Sequence, residues 1–81
     1  MHLLPNPEIK SMQIEIFRTN IADENIADEI RRKLSILFPD LRINFDLQDC
    51  DRILRIKGNE LNIDDLIRAV NSVGVSCEIL N

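Results

Sequence analysis

The sequence predicts an α+β domain, and three patterns carry that prediction. Apolar residues recur at three- and four-residue spacing in two separate segments; they alternate with polar residues in the segments between; and breaks rich in proline, glycine or aspartate fall at the junctions. A chain of 81 residues makes one domain with a modest core and little room for a deep active site. The expected organisation is an arm over 1–10 and a single domain over 11–81, because "MHLLPNPEIK" sets Pro5 and Pro7 around Asn6 and so interrupts any ladder or helix.

The elements follow in chain order. From Met12, Ile14 and Ile16 alternate with Gln13 and Glu15, the period-two pattern of a half-buried strand, and on that phase Phe17 falls on the polar side. Between Asp23 and Phe38, the spacing of Ile26, Ala27, Ile30, Leu34 and Leu37 predicts an amphipathic helix that stops before Pro39. Leu41, Ile43, Phe45 and Leu47 then alternate with Arg42, Asn44 and Asp46, the cleanest strand pattern in the chain. After the turn "QDCD", Arg52 to Lys57 returns as the hairpin partner, with Leu54 and Ile56 on one face and Ile53 and Arg55 on the other. A second helix begins at Asn62, a favourable N-cap, carries Leu66, Ile67, Val70 and Val73, and closes at Gly74. Val75, Cys77 and Ile79 form the last strand.

Strand, helix, strand, strand, helix, strand is the β-α-β-β-α-β order of the ferredoxin-like sandwich. Right-handed crossovers give an antiparallel four-stranded sheet of order 4-1-3-2 with both helices on one face. The other face is left open. On the phase given above, Phe17 and Ile53 lie side by side on that open face, where a homodimer or a protein partner would cover them. The alternative is a bulge that turns Phe17 inward, or scattered surface apolars that need no partner.

Composition removes several function classes. A net charge of −4 and a pI near 4.8 repel phosphate backbones, and the chain has no Trp or Tyr on which bases could stack, so no nucleic-acid partner is expected. No apolar run reaches the length of a membrane span, and the N-terminal residues lack the pattern of a signal peptide; the expectation is a cytoplasmic protein with no membrane partner. Two cysteines, without the density of a disulfide scaffold, predict reduced thiols.

The candidate sites are few. Asp23, Glu24 and Asp28 in "RTNIADENIADEI" gather carboxylates at a helix start, where they cap free N–H groups and complement the macrodipole. A calcium site would need about six to eight oxygens and a glycine-bearing loop, and neither is encoded there. Cys50, between Asp49 and Asp51 in the hairpin turn, is the exposed thiol, and its flanking carboxylates make it a poor nucleophile. The topology sets it at the same end of the domain as the first loop and the Gly74 turn. Cys77 is read as a small buried hydrophobe, and His2 lies in the arm without a partner. No nucleophile-base pair, glycine-rich phosphate loop or carboxylate pair is encoded, so the expectation is a non-enzymatic domain without a cofactor.

Two stretches carry a resemblance. Arg18-Thr19-Asn20-Ile21 and "DRILRIKGNELNIDDLIRAVNSVGVSCEIL" are similar to phrases of the heavy-metal-associated domains of copper chaperones and metal-transporting ATPases, and the likeness runs over Met12 to Leu80. In bacterial members of that family a Lys-Thr-Asn-Ile phrase ends the first strand, followed one residue later by Cys-x-x-Cys. The resemblance implies the ferredoxin-like fold and puts the two metal-binding positions at Asp23 and Ile26. Neither a hard carboxylate nor a hydrocarbon replaces the soft thiolates that hold copper(I). The resemblance therefore implies a member without the metal site, serving as an interaction or dimerisation module. Two alternatives stand beside it. One is metal handling through a rebuilt site, either Cys50 with Asp23 or the Cys50 thiols of two subunits. The other is an acylphosphatase-type enzyme, which would require an arginine in a phosphate-cradling loop and an asparagine on a central strand, whereas the first loop here is acidic.

Overall fold

Two side chains start the helices. In the computed structural model, which describes residues 12–80, the Asp23 carboxylate accepts from the Ile26 N–H at 3.1 Å and opens α1 (Glu24–Leu37). The Asn62 side chain accepts from the Asp65 N–H at 3.1 Å and opens α2 (Ile63–Asn71). Each cap satisfies one of the N–H groups that a helix start leaves without an intrahelical partner. After α1 the chain leaves the helix at Phe38 before Pro39; after α2 it turns through Gly74, whose φ of +89 is a conformation that side chains disfavour.

The strands are β1 (Gln13–Thr19), β2 (Arg42–Asp46), β3 (Ile53–Gly58) and β4 (Cys77–Ile79), in the sequence β1-α1-β2-β3-α2-β4. They form one antiparallel sheet of order β2-β3-β1-β4, the expected 4-1-3-2 read from the other edge. The last strand is shorter than the alternation suggested: Val75 is buried but lies ahead of β4, and Ile79 is partly exposed on its edge. The expected arm at 1–10, with His2, lies outside the described residues. Among the described residues no helix is long and apolar enough to cross a membrane.

One apolar cluster joins the helices to one side of the sheet. Ala27, Ile30 and Leu34 of α1 and Leu66, Ala69 and Val70 of α2 pack with Phe17, Leu54, Ile56 and Cys77. Ile43 and Phe45 close the cluster at the β2 side, where the Arg31 guanidinium lies 5.0 Å from the centre of the Phe45 ring.

The phase of β1 corrects the sequence reading. Phe17 is fully buried, directly opposite Leu54 on one side and Ile79 on the other, while Ile14 is 52% exposed. No bulge is needed, since the β1–β3 register runs unbroken from Gln13↔Gly58 to Phe17↔Leu54. The inward residues are instead Phe17, Thr19 and, beyond the strand, Ile21, all buried. Phe17 sits where β1 has neighbours on both edges and gains most from burial; Ile14 lies where β1 is paired with β3 alone. Ile53 does lie on the outer side, opposite Asp46, but it is nearly buried, and continuing the β1–β3 register by one residue sets Arg18 beside it. Phe17 and Ile53 therefore occupy opposite faces and form no exposed patch.

Phe17→Ala is expected to destabilise the chain by about 3–5 kcal/mol, the cost of a cavity left by a large aromatic, whereas Ile14→Thr should stay within about 0.5 kcal/mol of wild type. Urea unfolding followed by far-ultraviolet circular dichroism measures both. Equal sensitivity at the two positions would contradict this phase of the strand.

Candidate functional site

The end of the domain that the sequence singled out is assembled from three loops, and Thr19 is where they meet. Its N–H donates to the Asp51 carbonyl at 3.0 Å, and its hydroxyl donates to the Arg52 carbonyl at 2.5 Å while accepting from the Ile21 N–H at 3.2 Å. The last residue of β1 thus holds the β2–β3 turn and the start of its own loop. Next to it, the Asn20 side chain accepts from the Ser76 N–H at 2.9 Å and ties in the turn that follows α2. Thr19 is buried, so its own bonds are largely shielded from water and leaving a partner unsatisfied there is costly, whereas the Asn20–Ser76 bond is exposed.

The β2–β3 turn has its own internal order. The Asp49 carboxylate accepts from the Asp51 N–H at 2.8 Å, and the Arg52 N–H donates to the Asp49 carbonyl at 3.0 Å. Arg52 takes a positive φ of 47, a left-handed conformation that a non-glycine residue adopts at some cost; its carbonyl is the one that Thr19 holds. On the outer face, Arg18 reaches Asp51 at 3.3 Å and Glu78 at 3.4 Å, linking the turn to β4.

Within this frame the residues named from sequence take definite places. Asp23 is the N-cap of α1, with its carboxylate on the Ile26 N–H. Ile26 packs against the apolar cluster from the first turn of α1. Asp28 pairs with Arg31 one turn along the helix and so has a local partner. Cys50 is exposed and free, and one ligand atom each from Asp49, Cys50 and Asp51 lie within 4.8 Å of one another. Two of those three groups already have structural partners: Asp49 holds the turn and Asp51 holds Arg18.

Cys77 is buried, and its thiol is pushed from 9.0 up to about 12, first by burial and then by the charge of Glu78. An unfolded thiol ionises near 9 while the folded one keeps its proton to about 12. Its contribution to stability is therefore full below that unfolded value and is lost as pH rises towards the folded one. At neutral pH it behaves as a small apolar side chain.

Sequence reasoning missed Thr19 and Asn20 as structural residues. The available signal was the alternation Phe17, Thr19, Ile21, obscured because threonine is polar and strand-forming at once. Among the described residues one surface hollow of about 260 Å³ on the outer sheet face is lined by Arg42, Ile43, Asn44, Arg55 and Lys57. Comparison of the chain with family models, with curated proteins and with solved structures gives no match in any of the three.

Thr19→Val keeps the shape but leaves the Arg52 carbonyl and the Ile21 N–H without their partner, and should cost about 1–3 kcal/mol. Thermal unfolding measures it. A change of only a few tenths of a kcal/mol would show that the three loops are held by other means.

Proposed function

We propose that this chain is a ferredoxin-like domain, similar to the heavy-metal-associated domains, whose former metal loop has become a structural corner, and that it serves as a non-enzymatic protein-interaction module. The observation that carries this reading is the occupation of the loop. At the two positions where the resemblance puts metal ligands, Asp23 caps the helix through one carboxylate oxygen on the Ile26 N–H, and Ile26 packs its side chain against the core. Soft copper(I) is offered neither thiolate there. The loop is also bound from both sides, by Thr19 to the β2–β3 turn and by Asn20 to Ser76, which favours a rigid connection over an opening metal loop. A compartment that keeps the exposed Cys50 reduced, such as the cytoplasm, fits this reading.

The competing reading is a rebuilt metal site at the β2–β3 turn, which the closeness of Asp49, Cys50 and Asp51 favours. It is the weaker one, because a single thiolate with two hard and already engaged carboxylates is a poor set for a soft ion.

Titration of the reduced protein with copper(I) against a competing chelator separates the two. The module reading predicts no stoichiometric binding at nanomolar affinity. Such binding, abolished by Cys50→Ser, would overturn it in favour of the rebuilt site.

A further inference from the structure

Among the described residues the sheet has one substantial free edge. β4 is three residues long, whereas β2 presents five consecutive residues, Arg42-Ile43-Asn44-Phe45-Asp46, with β3 as its single neighbour among the described strands. That strand contains no proline, and its register with β3 runs without a bulge from Arg42↔Lys57 to Asp46↔Ile53. Two devices that blunt an edge, a proline and a bulge that twists it away, are absent from it; the charges it does carry, Arg42 and Asp46, are of opposite sign.

Among the described residues the charges on β2 are without ion-pair partners. Arg42, Asn44 and Asp46 share the outer face. Arg42 lies directly opposite Lys57, a like-charge pair that disfavours the ladder, and Asp46 lies opposite the apolar Ile53. Among the described residues neither Arg42 nor Asp46 has an ion-pair partner.

We propose that a second copy of this chain docks along the β2 edge, the two β2 strands pairing antiparallel about a two-fold axis through Asn44. The inference rests on the reading of the chain as an interaction module and names its partner. In that register Arg42 of each copy faces Asp46 of the other, so each free charge gains its opposite and the carboxylate offsets the Arg42–Lys57 repulsion. Ile43 faces Phe45 on the helix side, covering two side chains that are only partly buried in one copy. At the centre Asn44 meets Asn44; each side-chain oxygen already accepts from Arg55 at 3.2 Å, and the amide N–H groups are left to donate. The strand is complementary to itself in this one register: a shift by two residues would leave Arg42 or Asp46 facing an asparagine. The same patch meets itself, so the assembly closes as a dimer with a continuous eight-stranded sheet and does not grow into a fibre.

Sedimentation equilibrium from micromolar to millimolar protein, with a metal chelator present, tests this. Wild type is expected to dimerise, and Arg42→Asp and Asp46→Arg are each expected to weaken the dimer by about tenfold, since each creates two symmetric like-charge contacts. The double exchange Arg42→Asp with Asp46→Arg should restore wild-type association. Both positions are exposed, and circular dichroism checks that every variant is folded. A monomeric wild type, a dimer indifferent to both single reversals, or a double variant no better than the singles overturns the proposal. A dimer that forms only when copper(I) replaces the chelator, and is lost in Cys50→Ser, overturns both this inference and the module reading. A chelator-resistant monomer overturns the inference alone.

Discussion

A pleated strand has a side-chain period of two, so one residue that has to be buried decides the face on which all its neighbours stand. In β1 that residue is Phe17. With its ring among the helices, Thr19 and Ile21 follow it inward, and Ile14, Ile16 and Arg18 are turned to the outer face. Thr19 can then reach the Arg52 carbonyl, and Arg18 can reach Asp51 and Glu78. A slip by one residue would put Phe17 in solvent, bury the Arg18 guanidinium and undo the junction of the three loops. The architecture of the corner is a consequence of where one aromatic ring goes.

The polar groups of that corner bind one another across and within the loops. Thr19 bonds Arg52 and Ile21, Asn20 bonds Ser76, Asp23 bonds Ile26, and Asp49 bonds Asp51. The Thr19 bonds are made at a buried side chain, and a ligand that displaced its partners would leave buried polar groups unsatisfied. At the β2 edge, by contrast, Arg42 and Asp46 have no ion-pair partner among the described residues.

Much of the architecture was legible because its signals were local. β2 could be read from Leu41, Ile43, Phe45 and Leu47, an uninterrupted alternation, and the two helices from their caps at Asp23 and Asn62 together with the Gly74 exit. The sheet order followed from the handedness of the crossovers. The face of β1 was misread because two isoleucines outnumber one phenylalanine, and because Gln13 and Glu15 share the inward phase. Both stand in the half of β1 that pairs with β3 alone, and Gln13 accepts from the Leu61 N–H at 3.0 Å. Position within the sheet, which no alternation count contains, decides which apolar residue is covered. The cap role of Asp23 was readable for the opposite reason, being set by neighbours three residues away. The bonds of Thr19 and Asn20 join segments more than thirty residues apart and leave no periodic trace.

The claim on which the rest depends is the direction of the Phe17 ring, and nuclear Overhauser spectroscopy of the methyl and aromatic protons reads it directly. The account predicts contacts from the Phe17 ring to the Leu54 methyls and to methyls of the helices. It also predicts that a soluble paramagnetic agent broadens the Ile14 methyls while sparing that ring. A Phe17 ring broadened by the agent, with contacts to Ile53 and none to either helix, would contradict it.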